Sequence, residues 1–146
     1  MEYTNAYNAY KETSVKTASQ GKLIIMLYQE AVKQLGIAID LIDENGKVIP
    51  QNIEKFGKCI QKTQEIISEL MVSLDMEKGG EIAKNLMSLY VFFNAELMNA
   101  NINKDKEKIQ NVKKMLFDLL GAWNVAVESA GPISTPSTQI NIDING

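Results

Sequence analysis

The sequence predicts an all-α protein: an antiparallel four-helix bundle, preceded by a short N-terminal capping helix and followed by a flexible polar tail. Three observations lead there. Four long stretches carry apolar side chains at steps of three and four, the spacing that gathers them on one face of a helix. The three prolines and nine glycines fall mostly at the ends of those stretches or in the last residues, leaving the interiors unbroken. The connections are short, which favours antiparallel neighbours. A chain of 146 residues is most simply one domain with a proper core, here residues 1–130, with 131–146 as the tail.

The first segment, residues 3–11, places Tyr3, Tyr7 and Tyr10 at helical spacing, with Ala6 beside them. It is too short to hold a helix alone, because nucleation is costly, so it must lie on apolar surface. Two readings stay open: a helix that completes the core, or a displaceable lid over a client groove. Ser19 is suited to cap the helix that follows.

The first long helix is predicted over 20–43. One stripe reads Ile24, Leu27, Tyr28, Ala31, Leu35, Ala38, Ile39 and Ile42. A second lies beside it in Leu23, Met26, Ile37 and Leu41. A central helix in a bundle uses both, and a client-binding surface is the alternative use of the second. Asp43-Glu44-Asn45-Gly46 stops the helix, with Gly46 suited to a left-handed turn.

The second helix starts at Pro50, tolerated in a first turn because its missing N–H would be unpaired there. Its stripe is Ile53, Phe56, Ile60, Ile67, Leu70 and Leu74, with Gln64 on the same line. Cys59 sits one position off that stripe, with no histidine to activate it, and reads as a small core residue. Met76-Glu77-Lys78-Gly79-Gly80 is a turn.

The third helix, 81–101, shows Ile82, Leu86, Leu89, Tyr90, Phe93, Leu97 and Ala100, plus Met87, Val91, Phe92 and Met98 off that stripe. Apolar on more than one face, it is either central or partly exposed for a partner. Asn103-Lys104-Asp105 forms a very short connection. The fourth helix, 105–129, aligns Ile109, Val112, Leu116, Leu119, Leu120, Trp123 and Val127, with Trp123 a core anchor whose indole N–H needs a partner. After Gly131-Pro132 the composition turns to Ser, Thr, Pro, Asn and Gln, with one period-two oddity, Ile140-Asn141-Ile142-Asp143-Ile144.

Composition narrows the chemistry. The fifteen cations are all lysine, against eighteen carboxylates, for a net charge of −3. Without arginine's bidentate fork, a nucleic-acid partner is disfavoured. Without histidine, the usual general base, the commonest metal ligand and the Glu-x-x-His di-iron motif are missing. There is no glycine-rich phosphate loop. One cysteine makes no internal disulfide, no apolar run approaches a membrane span, and the N-terminus has no signal-peptide pattern. The expectation is a cytoplasmic binding protein with no catalytic, cofactor or metal residues and no membrane insertion. A histidine-free thiol or metal enzyme is the weaker class.

Two motifs in register then resemble a known family, the flagellar secretion chaperones. The first follows an N-terminal aromatic segment: Val-x-Thr-Ala-Ser and then Leu-x-x-Met-Leu-Tyr. It is carried here by Tyr7, Tyr10, Val15, Thr17, Ala18, Ser19, Leu23, Met26, Leu27 and Tyr28. The second is a Leu-Tyr pair, Leu-x-x-Ala-Asn, an Asp-containing turn and a late Ala-Trp. Its residues are Leu89, Tyr90, Leu97, Ala100, Asn101, Asp105, Ala122 and Trp123. The resemblance spans about residues 5–128.

Three departures stand out: Gln20 replaces a proline, Tyr28-Gln29-Glu30-Ala31 replaces Tyr-Asp-Gly-Ala, and Val91-Phe92-Phe93 is greasier than usual. The resemblance implies a helical bundle that binds the C-terminal helical segment of flagellin and prevents its premature polymerisation. It also implies delivery to the type III export gate, with FlhA engaged by the loaded chaperone; a homodimer is left open. An assembly adaptor for a different amphipathic helix is the alternative. The expected lid and client residues are Tyr7, Tyr10, Val15, Thr17, Ala18, Leu23, Met26, Leu27, Met87, Tyr90, Val91 and Met98.

Overall fold

The computed structural model describes residues 20–130. Four helices make up almost all of it: α1 (Gln20–Asp40), α2 (Ile53–Ser73), α3 (Gly80–Asn103) and α4 (Lys106–Ala130). A 3₁₀ turn, Pro50–Asn52, leads into α2. There is no strand among the described residues. The predicted N-terminal capping helix, the Ser19 cap and the polar tail lie outside them.

Each helix packs on two neighbours, in the cyclic order α1, α2, α3, α4. Consequently α1 and α3 occupy opposite corners, as do α2 and α4. The core follows the predicted stripes closely. Ile24, Leu27, Tyr28, Ala31, Leu35 and Ala38 from α1 are buried against Phe56, Ile60, Ile67 and Leu70 from α2 and their counterparts on α3 and α4. Burying each aliphatic side chain contributes about 1.5–3 kcal/mol before the entropy of ordering it.

Several expectations at the margins need correction. The first helix ends at Asp40, not Asp43; Leu41 and Ile42 continue as a turn whose amides bond back to Ile37–Ile39 carbonyls. Ile42 is nonetheless buried, and with Val48 it plugs that end of the core. Pro50 starts a 3₁₀ turn rather than the α-helix proper, and Ile53, in the first α-helical turn, is half-exposed. The second helix also gains two buried members the stripe did not include, Thr63 and Ile66. Thr63 satisfies its hydroxyl by donating to the Cys59 carbonyl at 2.9 Å.

The connections are held by short polar side chains. Asp43 Oδ1 accepts from the amides of Asn45 and Lys47, and Gly46 takes the left-handed φ of +74° that this turn requires. Asp75 Oδ1 accepts from Glu77 and Lys78 in the same manner. At the shortest connection the left-handed residue is Lys104, φ +53°, which costs more in a lysine than in a glycine. Compensation is visible: its Nζ donates to the Asn101 carbonyl at 2.6 Å and lies 5.1 Å from the Phe56 ring centroid. Asp105 then caps α4 by accepting from the Lys108 amide.

A buried polar chain ties the opposite corners together. The Tyr28 and Tyr90 hydroxyls meet across the core at 2.6 Å, and the half-buried Trp123 side chain lies near Tyr28. Burial pushes the Tyr28 phenol up to about 12, against opposing hydrogen bonds from Tyr90 and Trp123. It also raises the Tyr90 phenol well above the usual tyrosine value, with Tyr28 adding to the rise. Both phenols are neutral donors and acceptors at any ordinary pH.

Candidate functional site: the outer face of α3

Four helices need four inward stripes, so apolar side chains left outside are the informative ones. They concentrate on α3. Opposite its core stripe (Leu86, Tyr90, Phe93, Leu97, Ala100) runs a second stripe, Val91, Ala95, Met98 and Ile102, at steps of four, three and four. That spacing repeats every seven residues and lays the four along one line of a helix. Val91 is 54% exposed, Met98 61% and Ile102 74%. Small Ala95 lies in the middle, where another backbone could approach closely. Phe92 flanks the stripe at 46% exposure while its neighbour Phe93 is fully buried, their rings 6.2 Å apart.

The same face is almost free of charge. Beyond Lys84, α3 carries one charged side chain, Glu96. Lys108 of α4 holds it in an ion pair of 3.4 Å. Asparagine and serine fill the remaining exposed positions: Asn85, Ser88, Asn99 and Asn103. Uncharged apolar surface with a neutral polar rim is the composition of a protein-binding patch.

The structure separates the sequence-predicted client residues into three groups. Tyr7, Tyr10, Val15, Thr17 and Ala18 lie outside the described residues. Leu23, Leu27 and Tyr90 are buried in the core, so a partner reaches them only if the bundle opens. Met26, Met87, Val91 and Met98 remain accessible to some degree: Met87 is half-buried beside the α3 stripe, and Met26 is 52% exposed on α1. Because α1 and α3 stand at opposite corners, Met26 does not share a groove with Val91 and Met98. The paired stripes expected on the first helix are therefore not one surface. Leu23 turns inward to the core, Ile37 and Leu41 are partly buried against it, and Met26 alone stands well exposed.

Ala95, Ile102 and Phe92 were not among the expected site residues. The seven-residue repeat of Val91, Ala95, Met98 and Ile102 was the signal that pointed to the first two. Phe117 of α4 is a separate exposed aromatic at 61%.

Cys59 is buried, and burial raises its thiol pKa against the pull of Lys55 and Lys62, so the thiolate form is disfavoured. Among the described residues no three of His, Cys, Asp and Glu cluster to hold a metal ion. No described helix is long and apolar enough to cross a membrane.

Known proteins match the chain over its whole helical region. The family model described as "Flagellar protein FliS" matches residues 3–130. A flagellar secretion chaperone FliS of Bacillus subtilis is 30% identical over 129 residues, covering 88% of this chain and 91% of the relative. The Salmonella typhimurium protein of the same name is 36% identical over 113 residues, covering 77% and 79% respectively. The one from Campylobacter jejuni is 33% identical over 123 residues, covering 84% and 91%. With a family model and these relatives agreeing across all four helices, the chain belongs to the FliS family of flagellar secretion chaperones.

Proposed function

We propose that this chaperone binds the C-terminal segment of flagellin as an amphipathic helix laid along the outer stripe of α3. It keeps that segment from polymerising in the cytoplasm and passes it to the type III export gate, where the loaded complex engages FlhA. The observation that carries the reading is the uncharged α3 stripe, Val91, Ala95, Met98 and Ile102. A fifth helix with anchors at i, i+3, i+4 and i+7 meets it as one more bundle helix would.

The energetics suit a carrier that must let go. Each well-buried aliphatic anchor contributes about 1.5–3 kcal/mol, and ordering a disordered segment costs about 2–5 kcal/mol or more. Several anchors exceed that cost without making release slow. Methionine at the centre suits a client that is re-packed rather than locked. The N-terminal tyrosines, Tyr7 and Tyr10, are read as a lid over client-binding surface, with Val15, Thr17 and Ala18 setting the hinge. A single helix covers one face of the bundle, so a client that also touches Met26 must carry a second helical stretch.

The deciding experiment is calorimetric titration with the C-terminal segment of the cognate flagellin, using the wild type and a Val91→Lys/Met98→Lys variant. Saturable binding by the wild type and its loss in a variant with unchanged circular dichroism is the expected pair of results. Equal binding by both, with the variant folded, would sink the α3 assignment. Failure of the wild type to bind would point to a different helical client.

A further inference from the structure

We infer that Asn94 sets the register of the client helix on α3, by pairing its carboxamide with an asparagine or glutamine side chain of the client. The inference rests on the reading of the α3 face as the client surface.

A second rhythm shares that face with the outer stripe. Met87, Val91, Asn94 and Met98 follow one another at steps of four, three and four, the alternation with which one helix meshes with another in a coiled coil. Three of the four are apolar, with Met87 half-buried and Val91 and Met98 exposed. Asn94, itself half-buried, takes the remaining place. It stands at the edge toward α2, whose Gln64 donates its Nε2 to the Asn94 main-chain carbonyl at 3.3 Å. Asn94 is one turn from each of Val91 and Met98, so a helix seated on those two runs beside it.

The hydrogen bonding of this side chain is incomplete. The bundle satisfies its other buried polar side chains internally: Thr63 donates to the Cys59 carbonyl, Gln34 to Glu30, and Tyr28 and Tyr90 share one bond. Among the described residues, the Asn94 side-chain carbonyl is buried with no partner. An unpaired buried carbonyl is unfavourable, and such a group favours any state in which a donor reaches it.

The chemistry of the donor follows from the surroundings. Main-chain N–H groups within a client helix are engaged by that helix, so the donor is a side chain. An ammonium would enter a face whose one carboxylate past Lys84, Glu96, is already held by Lys108. A hydroxyl on a helix bonds back to the carbonyls of its own preceding turn. A carboxamide fits: its N–H2 donates to Asn94 Oδ1 while its carbonyl accepts from Asn94 Nδ2, once the Asn94 side chain rotates toward it. A polar pair inside an apolar seam selects one register, because a slip of one turn sets each amide against an aliphatic side chain.

A double-mutant cycle by calorimetric titration tests this. The probe is the C-terminal segment of the cognate flagellin, with each of its Asn and Gln residues replaced in turn by Leu. Asn94→Leu is expected to keep its helical circular dichroism and to bind the unaltered segment about five- to tenfold more weakly. One replacement in the segment is expected to weaken binding to the wild type by a similar factor and to leave binding to Asn94→Leu unchanged. Asn94→Asp retains the shape and loses the N–H2 donor; it is expected to weaken binding too, and serves if the leucine variant misfolds. Equal affinity of the wild type and a folded variant, or no replacement whose effect depends on Asn94, overturns the inference. If Val91→Lys/Met98→Lys abolishes binding while the Asn94 cycle is flat, the stripe stands and the register role falls. If the cycle is coupled while Val91→Lys/Met98→Lys binds normally, the register role stands and the client lies off the stripe, toward α2. A wild type that does not bind the segment overturns both.

Discussion

The solvent faces of α2 and α3 are neighbours on one bundle and are built on opposite principles. α2 presents Glu54, Lys55, Lys58, Lys62, Glu65 and Glu69, three of each sign. Lys58 pairs with Glu54 at 3.3 Å, and Gln61, Gln64, Glu65, Ser68 and Glu69 line an open polar depression. α3 beyond Lys84 presents a single carboxylate, already paired, and a row of Val, Ala, Met and Ile. Exposed ion pairs on a helix contribute little to stability, so the charges of α2 act mainly to keep that face in water. Leaving Val91, Met98 and Ile102 exposed adds nothing to the stability of the isolated chain. The contrast teaches that the two helices have equivalent inward roles and differ outward, one face charged and the other, the face proposed above for a client, apolar.

The sharpest way to break that division is within α3 itself, where adjacent Phe92 and Phe93 point about 100° apart, one half-exposed and the other buried. Phe93→Ala removes a fully buried ring and is expected to cost about 3–5 kcal/mol of unfolding free energy. Phe92→Ala should cost under about 1 kcal/mol while weakening client binding; denaturant melts of both variants decide it.

Next in size is a matched pair of charge changes. Val91→Lys/Met98→Lys on α3 should weaken client binding about a hundredfold or more, from the loss of two anchors. Lys58→Glu/Lys62→Glu on α2 should leave it within about twofold, because ion pairs and exposed charges there contact only solvent. Comparable losses from both would remove the distinction between the faces.

The shared core offers a pH test of similar scale. The folded protein holds the Tyr28 proton up to about 12, whereas the reference value is 10.0. Below pH 10 both states are protonated and the stabilisation is complete. Above it the unfolded chain releases the proton first, so stability falls as pH rises toward 12. Tyr28 alone accounts for about 3 kcal/mol of that loss, and Tyr90 acts in the same direction. Melting measured from pH 9 to 12 should show the decline, and Tyr28→Phe should shrink it at the cost of one hydrogen bond.

The smallest effect is expected at Glu96. Lys108→Ala leaves that partly exposed carboxylate unpaired and should change stability by only about 0.5 kcal/mol. It should also place an uncompensated negative charge beside the stripe, seen as a modest rise in client Kd that salt screens.

Much of this molecule was legible from periodicity. A step of three or four residues fixes which side chains share a helical face whatever surrounds them, so Ile24 through Ala38 and Ile109 through Leu120 could be assigned inward before any packing was known. The two motifs in register, from Val15 to Tyr28 and from Leu89 to Trp123, pointed to the family without reference to shape. The short polar connections announced themselves too, through Asp43, Gly46 and Asp105.

What periodicity could not decide is how the surplus apolar residues relate to one another. Leu23 and Met26 lie on one helix, yet the first is buried and the second is exposed, because the neighbours α2 and α4 cover some angles around α1 and leave others open. Met26 and Val91 were both expected to meet the client, and only the cyclic order of the helices put α1 and α3 at opposite corners. Ile53 lies on the stripe of α2, yet at the start of that helix it is half-exposed. The physical reason is common to all three: sequence spacing sets the direction of a side chain relative to its own helix axis, and only the packing of the other helices determines whether that direction ends in the core, in a shared groove or in water.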